Sequence, residues 1–76
     1  MYRKHISHRE MSGQYAHLIG KTLTWEETTN AQDWYPTSGK IRVAHQNGKD
    51  FNVDHDGTYR WIIPDPLRIR NVQIIG

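Results

Sequence analysis

Three short runs of alternating polar and apolar residues constrain this chain more than any other feature in it. Ile41 and Val43 alternate with Lys40 and Arg42. Phe51 and Val53 alternate with Asp50, Asn52 and Asp54. Tyr59, Trp61 and Ile63 alternate with Thr58, Arg60 and Ile62. A period of two marks a strand with one buried face. Asn47-Gly48 and Asp56-Gly57 separate the runs, so the three read as an antiparallel meander.

Its register follows from the demand that apolar residues share a face. A two-residue turn at Asn47-Gly48 would set Val43 against Asn52 and mix the faces. A three-residue loop, Gln46-Asn47-Gly48, sets Val43 against Phe51 and Ile41 against Val53, with Gly48 in the left-handed position. The same reasoning at His55-Asp56-Gly57 sets Val53 against Tyr59 and Phe51 against Trp61. The expected core face is then Ile41, Val43, Phe51, Val53, Tyr59, Trp61 and Ile63. The expected outer face is Lys40, Arg42, Asp50, Asn52, Asp54, Thr58, Arg60 and Ile62, a charge ladder with Lys40 opposite Asp54 and Arg42 between Asp50 and Asp54.

Upstream, Ser7 and Glu10 have the spacing of a capping box, and Ile6 and Met11 that of a hydrophobic staple. Met11, Tyr15, Leu18 and Ile19 follow at helical spacing and Gly20 closes the run, which predicts a helix over 8–19. Gly13 is the one poor helix former inside it. Residues 21–25 alternate as a strand with Leu23 and Trp25 inward. The polar stretch from Glu26 to Ser38 reads as a long loop of the kind that carries function. After Pro64-Asp65-Pro66, the alternation of Leu67 and Ile69 slips by one at Arg70-Asn71, which predicts a bulge or short turn there and a last strand over 71–75.

This order of strand, long polar loop, meander, proline-marked turn and final strand resembles that of SH3-like barrels over about residues 21–75. Trp61-Ile62-Ile63-Pro64-Asp65-Pro66-Leu67 looks like the strand, tight turn and final strand that close such barrels, and Glu26 to Ser38 lies where the family's long RT-type loop lies. The resemblance implies a small antiparallel barrel or bent sheet of roughly four or five strands, and with the N-terminal helix added and packed on it the expected fold is α+β, mainly β. Peptide-binding members of the family have a Trp at the start of the strand after the second loop. Here the matching stretch is Lys49-Asp50-Phe51, so the resemblance does not extend to proline-peptide recognition.

The chain has 76 residues and no cysteine. That predicts one domain over 1–76, with residues 1–6 as a flexible arm, and no disulfide framework. No apolar run reaches membrane-span length and no apolar segment follows Met1-Tyr2-Arg3-Lys4-His5, so the expected location is the cytoplasm. Charge is uneven. Arg3, Lys4, Arg9 and Lys21 face only Glu10 at one end, Arg60, Arg68 and Arg70 face only Asp65 at the other, and the middle is acidic.

Catalysis finds little support in the residues. There is no Cys nucleophile, no Gly-x-Ser-x-Gly and no glycine-rich phosphate loop, so neither an enzyme nor a cofactor is expected. His5 and His8 stand three apart. His55 lies within Asp54-His55-Asp56-Gly57, but that cluster is explained by turn chemistry rather than by a metal. The expected function is protein binding, as an adaptor or as a small inhibitor of a larger partner, through Asp33, Trp34, Tyr35 and Pro36 of the long segment. Trp and Tyr among small polar residues are common interface anchors. The alternative is nucleic-acid binding through Arg3, Lys4, Arg9, Arg68 and Arg70.

Overall fold

The computed structural model describes residues 6–76. Arg3, Lys4, His5 and all but Ile6 of the expected arm lie outside the described residues.

Strand-forming residues dominate, and they pair into one five-stranded antiparallel sheet: β1 (Thr22–Thr28), β2 (Trp34–Ala44), β3 (Phe51–His55), β4 (Thr58–Ile62) and β5 (Ile69–Ile75), in the order β4-β3-β2-β1-β5. With one short N-terminal helical segment, the fold is α+β, mainly β. β2 is the spine. Its first half pairs with β1 and its second half with β3, and Lys40 is the residue common to both ladders, opposite Thr22 and Asp54. The backbone crowds at this junction. A Cβ on Gly39 would lie 2.9 Å from the Asp54 carbonyl oxygen and 2.9 Å from Val53 Cγ2, so the absence of a side chain lets β3 approach. The sheet curls about this junction far enough for Arg60 of β4 to reach Glu27 of β1. This is a small, barrel-like arrangement. Its core is Leu23, Trp25, Ile41, Ala44, Phe51, Val53 and Ile62, with Tyr15, Leu18, Ile69 and Val72 packed against it.

The capping box is present. Glu10 N–H donates to Ser7 Oγ at 3.1 Å, and Ser7 N–H to the Glu10 carboxylate at 3.3 Å. The helix it starts, α1 (His8–Ser12), ends at Gly13, whose φ is 56°, and the chain continues as a 3-10 segment over Gly13–Leu18. The helical stretch thus covers nearly the expected residues with a change of pitch in its middle. That change alters the apolar phase: Tyr15 and Leu18 reach the core while Ile6, Met11 and Ile19 stay exposed. The Ser12 hydroxyl is fully buried and accepts the Ala44 N–H at 3.0 Å, pinning α1 to the end of β2.

The segment expected to be a long loop is mostly strand. β1 runs to Thr28 and β2 begins at Trp34, leaving only Thr29–Asp33 as the turn. Thr, Trp and Tyr are strand formers. Pro36 is tolerated because this half of β2 has a neighbour on one side only. The short loop satisfies itself: Thr28 Oγ1 accepts the N–H groups of Asn30 and Ala31, and Asn30 Oδ1 accepts those of Gln32 and Asp33.

Register brings the largest correction. Lys40–Asp54 and Ile41–Val53 pair as expected, but a bulge between Ile41 and Val43 then shifts the ladder, setting Val43 against Asn52 and Ala44 against Phe51. At the next turn the loop has two residues, not three. Asp56 and Gly57 take φ of 52° and 81°, the two positive angles of a type I′ turn, and Asp54 Oδ1 accepts the Gly57 N–H at 2.9 Å. The pairs are Phe51–Ile62, Asn52–Trp61, Val53–Arg60 and Asp54–Tyr59. A shift of one residue exchanges the faces of a strand. Ile62, expected outside, is fully buried, whereas Tyr59, Trp61 and Ile63, expected in the core, are 60%, 43% and 53% exposed. At the far edge, β5 starts at Ile69, earlier than expected. The slip at Arg70-Asn71 is a bulge against β1 between Thr24 and Glu26, with Asn71 at φ 55°.

The exchange of faces has a direct stability consequence. Ile62→Ala is expected to cost about 2–4 kcal/mol in urea unfolding, as a buried aliphatic truncation does. Tyr59→Ala should cost about 1 kcal/mol or less, since it removes an exposed ring and one cation–π contact.

Candidate binding surfaces

The hairpin β1–β2 separates the residues expected to form one anchor. Asp33 lies in the turn, where its carboxylate accepts from Asn30 Nδ2 at 2.9 Å. Trp34 and Pro36 lie opposite Thr28 and Glu26, on the outer face of the sheet. Tyr35 lies opposite Glu27 on the inner-facing side and is 44% exposed at its rim. The four residues therefore do not present a single surface.

Trp34 is instead one layer of a polar stack. The Arg70 guanidinium carbon sits 4.0 Å from the centre of its ring, and Arg70 Nε donates to Glu26 Oε1 at 2.9 Å. Asn71 Nδ2 donates to the same oxygen at 2.6 Å. The hydrogen bond from Arg70, followed by that from Asn71, holds the Glu26 carboxyl below the ordinary value of 4.5. On the inner face, Arg60 Nη2 donates to Glu27 Oε2 at 3.0 Å and Trp25 Nε1 to Glu27 Oε1 at 2.9 Å. Burial pushes the Glu27 pKa up, but the hydrogen bonds from Arg60 and Trp25 outweigh it and the net direction is down.

The basic residues are likewise dispersed. Arg70 is engaged on the outer face. Arg68, in the turn before β5, lines an open depression at the end of the sheet with Glu27, Arg60 and Leu67. Arg9 is on α1, which packs against β2 and the 3-10 segment.

A cluster that the alternation reading hid lies on the outer face of the meander. Tyr59 and Trp61 project side by side from β4. The Arg42 guanidinium lies 3.6 Å above the centre of the Tyr59 ring, donates from Nη1 to Asn52 Oδ1 at 3.0 Å, and has Nη2 3.3 Å from His8 Nε2. The His45 ring meets Trp61 edge-on at 6.4 Å between centres. The bulge at Arg42 turns its side chain toward Asn52 and Tyr59, so the expected ladder of Arg42 with Asp50 and Asp54 does not form. The signal that could have found this cluster is Asp56-Gly57, the dipeptide that favours a two-residue turn.

His55 ends β3, outside the two-residue turn, and its Nδ1 lies 2.8 Å from the Ser38 carbonyl oxygen. No group of three or more His, Asp or Glu among the described residues could hold a metal ion, and none of their helices is long and apolar enough to cross a membrane. No family model, curated protein or solved structure matches the chain.

The carboxylates make stability acid-sensitive. Both Glu26 and Glu27 have folded values below the ordinary 4.5, so their contribution is present above that value and lost as pH falls through the folded one. Urea midpoints measured from pH 6 downward should decline for the native chain through this window. In Glu26→Gln/Glu27→Gln the decline should be shallower, from a lower starting midpoint.

Proposed function

We propose that this chain is a non-catalytic protein-binding module with the strand order of an SH3-like barrel, whose contact surface is the outer face of β4. One observation carries the reading: Tyr59 and Trp61 stand exposed side by side with Arg42 stacked on Tyr59. Trp, Tyr and Arg are the residues in which interface energy concentrates. Arg42 is already oriented by Asn52 and His8, which reduces the entropy lost on docking. The module acts by occupying the surface of a larger partner, as an adaptor or an inhibitor. Its lack of cysteine suits a reducing cytoplasm. The expected anchor Asp33 to Pro36 gives way to β4, because its residues divide between two faces and Trp34 is held under Arg70.

Arg42, His8 and His45 beside two aromatic rings support a second reading, a stacking surface for single-stranded nucleic acid. The dispersal of Arg9, Arg68 and Arg70 favours the protein reading.

The two are separated by affinity capture from lysate of the source cells alongside fluorescence titration with a mixed-sequence single-stranded oligonucleotide. Tyr59→Ala or Trp61→Ala should weaken capture of a protein roughly 30-fold, the loss of about 2 kcal/mol typical of a hot spot. Trp34→Ala should leave capture intact. Capture indifferent to Tyr59 and Trp61 overturns the assignment. Oligonucleotide binding that weakens about tenfold or more between 50 and 200 mM salt favours the second reading instead.

A further inference from the structure

The two-residue turn fixes more than the face of β4. In a hairpin closed by two residues, the flanking pair His55–Thr58 exchanges both backbone hydrogen bonds, as do Val53–Arg60 and Phe51–Ile62. The pairs at Tyr59 and Trp61 are the non-hydrogen-bonded ones. The N–H and C=O groups of Tyr59 and Trp61 therefore point away from β3, toward the free side of the edge strand. The residues with exposed aromatic side chains are thus also those whose backbone groups no strand among the described residues pairs.

This edge is complementary to itself. Set two copies of β4 antiparallel about a two-fold axis at Trp61. Trp61 then pairs with Trp61 of the second copy and Tyr59 with Ile63, all exposed apolar side chains on one face. On the other face Arg60 lies opposite Ile62, so no like charges meet. Pro64 falls opposite Thr58, at a position whose N–H would not be needed for the new ladder. The neighbouring two-fold register, centred on Arg60, sets two guanidinium groups face to face and is disfavoured.

We infer that a second copy of this chain pairs with β4 through this edge, joining two five-stranded sheets into one across a two-fold axis centred on Trp61. The inference rests on reading β4 as the contact surface. It adds the identity and geometry of one occupant, and leaves Arg42 and the aromatic rings accessible from the outer face for a further partner.

Sedimentation equilibrium from about 1 to 200 µM tests it. The native chain should approach twice its 9.0 kDa mass and stop there, as a closed two-fold contact requires. Trp61→Lys, which places two cations opposite one another, should remain monomeric with unchanged far-UV circular dichroism. Since the chain has no cysteine, Trp61→Cys supplies a unique thiol. Hydrogen-bonded antiparallel partners have Cα atoms about 5.5 Å apart, within disulfide reach. Trp61→Cys should therefore cross-link to itself on mild oxidation, and Gln73→Cys on β5 should not. A native chain that stays monomeric at 200 µM, a mass that keeps rising past the dimer, or equal cross-linking of the two cysteine variants overturns the inference. A monomeric native chain whose Tyr59 and Trp61 variants still lose a captured protein removes the second copy and leaves the protein-binding reading in place.

Discussion

The turn at Asp56 and Gly57 decides what the rest of this molecule can present. Two successive residues with positive φ close the β3–β4 hairpin in the hand that suits twisted strands. Once the turn has two residues, every side chain of β4 is assigned. Ile62 fills the space between Phe51 and the rest of the core, and Arg60 is directed inward to Glu27. Tyr59 and Trp61 are left outside. A single additional loop residue would exchange all four. The inward Arg is the unfavourable part of the arrangement, since a half-buried guanidinium loses hydration. Glu27 offsets that loss at hydrogen-bond distance, and the Trp25 indole N–H occupies the other carboxylate oxygen.

Much of the frame was legible from local chemistry. The capping box at Ser7 and Glu10, the inward Leu23 and Trp25, the Lys40–Asp54 and Ile41–Val53 pairs and the slip at Arg70-Asn71 each rest on one or two residues acting on their neighbours. What was not legible has a common cause. Alternation assigns a face by counting apolar residues, and β4 carries Tyr, Trp and Ile on one side against Arg and Ile on the other. The count favours the wrong side, because an ion pair can admit Arg60 to the inner face and leave Tyr59 and Trp61 exposed. The bulge at Arg42 is a second case. It shifts the ladder by one within a run whose alternation shows no break. The same count hides the candidate surface, since alternation assigns its aromatic residues to the core.

Polar contacts also account for why the residues between Glu26 and Ser38 form a hairpin rather than a mobile loop. Thr28 and Asn30 side chains accept the N–H groups of four of the five intervening residues, Asn30 to Asp33, and the Thr28 N–H donates to the Arg68 carbonyl. Arg70 then ties β5 to this hairpin twice, through Glu26 and through the face of Trp34. These contacts make the β1–β2 hairpin a structural element, with the charges of Glu26 and Arg70 spent on one another.

The three tryptophans therefore have three fates. Trp25 is core, with its N–H on Glu27. Trp34 is covered by Arg70. Trp61 meets the ring of His45 edge-on and remains 43% exposed. A chain of 76 residues has little apolar surface to spare for its interior. Leaving Tyr59, Trp61 and Ile63 outside forgoes burial that folding could have used, and an edge with apolar outward side chains and backbone groups that point away from the sheet invites pairing. Natural edges are commonly blunted by an outward Lys or by Pro at an outward-facing N–H. On β4 the one charged residue, Arg60, points inward and is paired with Glu27, and Pro64 comes after the strand, so Tyr59 and Trp61 have neither an outward charge nor a proline beside them. An edge that is apolar and carries outward-pointing backbone groups is the place on this sheet where a further strand would pair most readily.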